Sequence, residues 1–159
     1  MSQPTAGTDS PQLFDRFLGE WRIENAQFDE HSSLWTRSRR TWRFVSILDG
    51  LGVQDWLSDD DGRMLGTTVR TWDEQVGWRA VWFCPRGSEH VSLRAADLGT
   101  SIRLDGRQAD GRRVRWILSA LAAESFAWDG WCSNDDGASW WHEQHRDAVR
   151  APAGASAGL

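Results

Sequence analysis

With 159 residues and a net charge of −5, the chain is most simply a single domain that is long enough to bury a core. All 18 basic residues are arginine and tyrosine is absent, which excludes Schiff-base chemistry through lysine and acid–base chemistry through a phenol. The arginines form no sustained basic stripe, and no apolar run reaches the length of a membrane span. We therefore expect neither nucleic acid nor a membrane as a partner.

The N-terminal residues 1–9 are polar, and we expect them to form a disordered tail. They lack the apolar stretch of an export signal, and Cys84 and Cys132 form no C-x-x-C pair, so the sequence predicts a cytoplasmic protein with reduced cysteines. Ser10 and Pro11 are typical of a helix start, and apolar residues follow at helical spacing up to Gly19. One short N-terminal helix is the prediction.

From residue 20 onward, polar and apolar residues alternate, and turn residues interrupt the alternation at regular intervals. We expect about ten strands, near residues 20–29, 34–48, 52–58, 63–73, 77–84, 88–97, 100–108, 112–122, 125–133 and 139–149. No second helical pattern indicates a crossover connection, so the strands should pair antiparallel in sequence order. The predicted fold is all-β, a closed up-and-down barrel over residues 10–150 with a flexible tail at 151–159.

Tryptophan is the outlier of the composition, with twelve residues. Indoles are bulky, need a partner for the N–H when buried, and fill a solid core poorly. A hollow barrel accommodates them more easily. Indoles that face outward or plug a barrel end would explain the same composition without a cavity.

The last two predicted strands flank a turn at residues 133–140 that matches the Asp-box pattern S-x-D-x-G-x-[ST]-W. In this motif the aspartate, here Asp135, ties the turn together, while Gly137 takes a positive φ and the Trp packs beneath the turn. A single Asp-box in a short chain without repeats does not indicate a β-propeller. The motif predicts a hairpin that carries aromatic residues and two histidines.

Four segments together resemble an uncharacterised bacterial lipocalin-like family of unknown function. They are 17–21 (FLGEW), 48–55 (LDG followed by VQD), 66–73 (GTTVRTWD) and the Asp-box hairpin ending in Arg146 or Arg150. The resemblance covers most of residues 13–150 and implies a calycin-type barrel without implying an activity. Trp72 stands where tyrosine is usual in that family.

Alternation along each strand predicts which side chains face the barrel interior. The resulting ligand-binding candidates are Trp42, Phe44, Gln54, Trp56, Trp72, Trp82, Trp116, Trp128, Trp140 and Gln144. The third strand is ambiguous, because a slip of one residue would turn Val53, Asp55 and Leu57 inward instead of Gln54 and Trp56.

Two polar residues are predicted to act as catalytic groups inside this apolar lining, and Arg146 is a further inward candidate. Arg70 would anchor a carboxylate, enolate or carbonyl oxygen, although a structural pair with Asp55 or Glu143 is an equal alternative. His142 would serve as acid or base because it titrates near neutrality, although a rim histidine with satisfied hydrogen bonds is the alternative.

The four histidines show no metal-binding spacing. His142 and His145 lie three residues apart in a strand and should therefore occupy opposite faces. We predict no metal site and no cofactor. Haem is a minor alternative, because the related nitrobindin barrels hold haem through a histidine on a late strand, a part that His142 or His145 could play.

The function hypothesis is a cofactor-free barrel that binds a small hydrophobic molecule, aromatic or polyene. It would act as a cyclase, isomerase or lyase of specialised metabolism, with indole faces stabilising positive charge. A carrier or sensor without turnover is the first alternative, and an interaction protein with a solid core is the second. Outward indoles such as Trp35, Trp78 or Trp131 could form the face of a homodimer.

Overall fold

A computed structural model describes residues 9–152. Nearly all of the two predicted tails therefore lies outside the described residues. Ten strands form one closed antiparallel sheet, in which each strand pairs with its sequence neighbours and the first pairs with the last. The strands are β1 (Gly19–Asp29), β2 (Leu34–Ile47), β3 (Gly52–Asp59), β4 (Met64–Asp73), β5 (Gly77–Cys84), β6 (Glu89–Asp97), β7 (Ile102–Arg107), β8 (Arg113–Ser119), β9 (Ser125–Ser133) and β10 (Trp141–Arg150). The predicted closed up-and-down barrel is confirmed.

The N-terminal segment forms a plug, in which the predicted short helix is present only as a 3-10 turn. Its one helical element is a single 3-10 turn at Asp15–Phe17, because so short a segment gains too few helical hydrogen bonds to form an α-helix on its own. Phe14 and Phe17 are buried, and Trp21 Nε1 donates to the Phe17 carbonyl at 2.7 Å. Tertiary packing therefore holds the turn across one end of the barrel, which we call the plugged end.

The other end carries the turns that follow β1, β3, β5, β7 and β9, and we call it the Asp-box end. In its largest turn, Asp135 Oδ1 accepts the Ser139 N–H at 2.8 Å, and Ser133 Oγ accepts the Gly137 N–H at 2.8 Å. Gly137 has the predicted positive φ, +92°. Hydrogen bonds from the Ser139 side chain and backbone lower the pKa of Asp135 to about 2. The carboxylate thus fastens the hairpin as the motif predicts.

No helix among residues 9–152 is long and apolar enough to cross a membrane.

The short connections at the plugged end place Leu48 and Asp49 at positive φ, near 54°, which agrees with the predicted turn there. Cys132 is buried and Cys84 half-buried, and both are free thiols.

Candidate functional site

A cavity of about 230 Å³ occupies the barrel interior toward the Asp-box end. Four indoles line it, those of Trp42, Trp82, Trp116 and Trp128. The other lining residues are Gln27, Arg40, Leu57, Leu65, Thr68, Cys84, Glu89, Val91, Gln108, Val114, Glu143, Gln144 and Arg146. The site is therefore an aromatic wall with a small set of charged and amide groups, which is the usual construction of a small-molecule pocket.

The four indoles form a continuous chain through the barrel interior. Trp116 and Trp128 lie on the paired strands β8 and β9, whereas the other two contacts join strands that are not paired with each other. Trp128 lies at the centre, with ring centroids 5.5 Å from Trp116 and 6.4 Å from Trp42. Trp82 continues the chain at 6.4 Å from Trp116, and its Nε1 donates to Glu89 Oε2 at 2.9 Å. These contacts are tilted or edge-on, so each ring presents part of a face to the cavity.

Arg146 supplies a buried positive charge to the cavity. Its guanidinium carbon lies 4.2 Å from the ring centroid of Trp128 and 4.7 Å from that of Trp42. Its Nε has no hydrogen-bond partner within residues 9–152. Burial, and then the positive charge of Arg40, lowers the pKa of Arg146 to about 9. The side chain is thus held by aromatic faces, and no carboxylate of the described residues forms the ion pair with it that normally accompanies a buried arginine.

A β-bulge in β10 brings a carboxyl group into the same cavity. His142 pairs with Trp131 and Gln144 with Gly130 in the register of β9, so Glu143 is an extra residue between them. Its side chain lines the cavity, and burial, and then the negative charge of Glu89, raises the pKa of the Glu143 carboxyl. The next residue also faces inward, and Gln144 Nε2 donates to Asn25 Oδ1 at 2.6 Å.

The bulge overturns the predicted position of His142, which faces the outside of the barrel. Inserting one residue restarts the alternation, so that His142 shares the outer face with Asp129 and Trp131. Its Nε2 lies 2.8 Å from Asp129 Oδ1, and its ring stacks on Trp131 at 4.5 Å. His142 therefore lies outside the cavity in which it was predicted to act.

The outward position of His142 also bears on the minor haem alternative. No histidine is among the residues that line the cavity, and His145 faces outward beside His142. Neither imidazole can reach a macrocycle held inside the barrel, so the residues at hand do not fit a nitrobindin-like haem site.

Arg70 faces inward as predicted, but it lies below the cavity, between the cavity and the plugged end. It forms the ion pair with Asp55 that was the structural alternative. Its Nη2 is 2.7 Å from Asp55 Oδ2, and the two side chains are 4% and 0% exposed. Asp55 is inside because β3 takes the other of its two possible registers. Gln54 and Trp56 consequently face outward and half-buried, and their predicted place in the ligand site was wrong.

The other candidates lie around the cavity rather than on it. Phe44 is buried in the core near the plug, 5.8 Å from Phe17 between ring centroids, and Trp72 packs half-buried beside Trp78 at 5.9 Å. Trp140 precedes β10 and lies under Arg115 on the outer face, 4.5 Å from the guanidinium to the ring centroid. These three residues do not line the cavity.

Of the three indoles predicted to face outward, Trp78 is the exception. Trp78 is buried, 1% exposed, and its Nε1 donates to the Ser10 carbonyl at 2.8 Å. Trp35 is 43% exposed, and Trp131 is half-buried on the outer face. A homodimer through these surface indoles stays a prediction.

The fold and the site define the class of the protein as a closed ten-stranded antiparallel barrel with an aromatic internal cavity. No protein-family model and no curated protein matches the chain. Among solved structures, Rv2717c from M. tuberculosis is similar, with a TM-score of 0.61 at 12% identity, over 89% of this chain and 96% of that chain. EF1p2_mFAP2b, solved bound to DFHBI, has a TM-score of 0.44 at 12% identity, over 89% of this chain and 98% of that chain. The likeness to Rv2717c supports the fold alone, and membership of a lipocalin-like family stays a prediction.

Sequence reasoning named Glu143 only as a possible structural partner of Arg70 and missed its place in the cavity, because nothing in the pattern marks the bulge. It also preferred Arg70, which does not line the cavity, to Arg146, which does. Arg146 was only a secondary candidate. It lies two residues after the inward Gln144 and opposite Trp128, so alternation alone could have ranked it higher.

Proposed function

We propose that the barrel binds a small aromatic molecule that carries an acidic group. The observation that supports this most is Arg146, a buried guanidinium on the cavity wall between two indole faces, with an unpaired Nε. A buried cation that forms no direct ion pair within residues 9–152 is costly, and an incoming anion would relieve that cost through a charge-assisted hydrogen bond. The surrounding indoles would bury the rest of the ligand.

The size of the cavity favours a compact ring system over an extended polyene. Its volume of about 230 Å³ exceeds that of an apolar cavity of about 150 Å³ known to bind benzene. One or two fused rings with a carboxylate or phenolate fit that space. Four indole faces offer offset or edge-on contacts to such rings, each worth about 0.5–1.5 kcal/mol beyond burial.

A cofactor-independent cyclase, isomerase or lyase of specialised metabolism is the second candidate. Glu143 favours it, because its buried carboxyl group lines the cavity and its raised pKa lies closer to that of an effective general acid or base. Arg146 would stabilise a developing oxyanion in the same cavity. A carrier or sensor would use the same pocket without turnover, and Glu143 would then contribute only to the fit of the ligand.

The binding proposal is tested by calorimetric titration with 2-naphthoate and its neutral isostere 2-naphthamide. One charge-assisted hydrogen bond is worth about 1.5–3 kcal/mol, so the acid should bind about 10–100-fold more tightly than the amide. In Arg146→Gln the two ligands should bind equally. Arg115→Gln is the matched control, because Arg115 also stacks on a tryptophan but lies on the outer face.

Equal binding of acid and amide to the wild-type protein would refute the anionic-ligand proposal. Native mass spectrometry of the purified protein then identifies any ligand that remains bound. For the enzyme candidate, Glu143→Gln should retain ligand binding and lose conversion of that ligand. Conversion that survives this substitution would contradict the acid–base role of Glu143.

A further inference from the structure

Three side chains on the outer face of the barrel converge on one point. Asp129 Oδ1 lies 2.8 Å from His142 Nε2 and 2.7 Å from His145 Nδ1. The three potential ligand atoms lie within 4.8 Å of one another. Asp129 comes from β9 and the histidines from β10, so two paired strands of the rigid sheet position all three.

The bulge at Glu143 creates this arrangement. Without it, residues 142 and 145 would occupy opposite faces of the strand, as the sequence alone predicts. With one extra residue between them, both imidazoles point outward and flank Asp129. The backbone irregularity therefore assembles a cluster that regular pairing would separate.

Both imidazoles are held in place by further contacts, as metal ligands usually are. His145 Nε2 lies 3.1 Å from Asp147 Oδ1, so the Asp147 carboxylate orients this ring, as a carboxylate on the far nitrogen of a metal-bound histidine usually does. The His142 ring stacks on Trp131 and lies 5.2 Å from Trp35 between centroids. The two histidine side chains are 31% and 33% exposed, and Asp129 is 21% exposed, so an ion has access from solvent.

We propose that Asp129, His142 and His145 bind a divalent late transition-metal ion such as Zn²⁺. Ligands about 2.0–2.1 Å from zinc in tetrahedral geometry lie about 3.3 Å apart, so each His–Asp129 separation of 2.7–2.8 Å must lengthen by only about 0.5 Å. The ion replaces the hydrogens that the imidazoles now share with Asp129. Two imidazole nitrogens and one carboxylate oxygen favour Zn²⁺, Ni²⁺ or Cu²⁺ over Mg²⁺ and Ca²⁺.

Three protein ligands leave at least one coordination position open to water or to an external group. The site lies on the opposite face of β10 from the cavity, and it is independent of the proposed ligand site. It can therefore exist whether or not the barrel binds an aromatic acid.

The test uses the full chain without a polyhistidine tag, treated with a chelator and titrated calorimetrically with Zn²⁺. We expect one saturable site per chain, and no comparable heat with Mg²⁺. Asp129→Asn, His142→Gln and His145→Gln should each weaken Zn²⁺ binding at least ~10-fold, and Asp147→Asn should weaken it by about 10–100-fold through the orientation of His145. Saturating Zn²⁺ should raise the Tm of the wild-type protein and not that of the ligand variants.

Two matched controls keep the result specific to the cluster. His90→Gln removes an outer-face histidine that stacks on Phe83 away from the site, and Glu143→Gln changes the residue between the ligands but on the inner face. Both should bind Zn²⁺ as the wild type does. With Cu²⁺, electron paramagnetic resonance should show two coordinated nitrogens, reduced to one in His145→Gln.

Absence of saturable Zn²⁺ binding to the wild-type protein would overturn the proposal and leave the cluster as an ion-paired hydrogen-bond network. Binding that is unchanged in the double variant His142→Gln/His145→Gln, or lost in His90→Gln, would overturn it as well. Circular dichroism of each variant establishes that the barrel is folded before the titrations are compared.

Discussion

Removal of the Arg70 guanidinium tests whether this residue is structural, as its position below the cavity indicates. In Arg70→Met, the Asp55 carboxylate, which is 0% exposed, loses its only ion-pair partner among the described residues. Removing one member of a buried pair costs about 3–5 kcal/mol, because the remaining charge stays desolvated. For a domain of 159 residues, that loss corresponds to a decrease in Tm of about 6–20 °C.

The double variant Asp55→Asn/Arg70→Met separates the ion pair from packing. The Asn amide oxygen can still accept the Thr68 N–H that Asp55 Oδ1 now accepts at 3.0 Å, and no buried charge remains. We expect it to be more stable than Arg70→Met in urea unfolding followed by tryptophan fluorescence. A cost below about 1 kcal/mol for Arg70→Met, the value of a surface pair, would refute the argument from burial. We also expect folded Arg70→Met to bind 2-naphthoate with the affinity of the wild-type protein.

Two further predictions concern pH. Arg146 loses its positive charge as the pH rises through its lowered pKa of about 9. Affinity for an anionic ligand should therefore fall about tenfold per pH unit above that value. In the same calorimetric series, Arg146→Gln should show no such dependence. Because the pKa of Asp135 is lowered to about 2, its stabilisation of the hairpin should be complete above the unfolded value of about 3.9 and lost as the pH falls through about 2. Thermal unfolding of Asp135→Asn and the wild type between pH 2 and 6 checks this, and a Tm difference that does not shrink toward pH 2 would contradict it.

The barrel could be predicted from the sequence because its determinants are local. Alternating polarity identifies each strand, and residues such as Gly50, Gly62 and Gly137 mark the turns through a positive φ. Closure follows from the strand order, since an uninterrupted antiparallel meander leaves two edges that pair with each other. The predicted strand bounds differ from the observed ones mainly at β7, β8 and β10, where turn residues take up the ends of the strands.

The cavity could be predicted only in part, because its polar side depends on partners distant in sequence. Alternation placed Trp42, Trp82, Trp116 and Trp128 on the wall. In β3, an apolar Trp56 competed with a charged Asp55 for the inward position, and polarity alone favours the indole. Asp55 takes the inward position, because Arg70 Nη2 from β4 lies 2.7 Å from Asp55 Oδ2 and neutralises its charge. No local sequence pattern reveals that pairing.

The bulge in β10 is the feature that most separates the predicted site from the observed one, and it acts on both faces of the sheet. On the inner face it adds Glu143 to the cavity beside Gln144 and Arg146, where regular pairing would have placed His142. On the outer face it aligns His142 and His145 beside Asp129. One extra residue thus places a carboxyl group rather than an imidazole in the cavity, and it brings both imidazoles within hydrogen-bond distance of Asp129. Both consequences depend on the same backbone irregularity, although the cavity and the outer cluster share no residue and lie on opposite faces of β10.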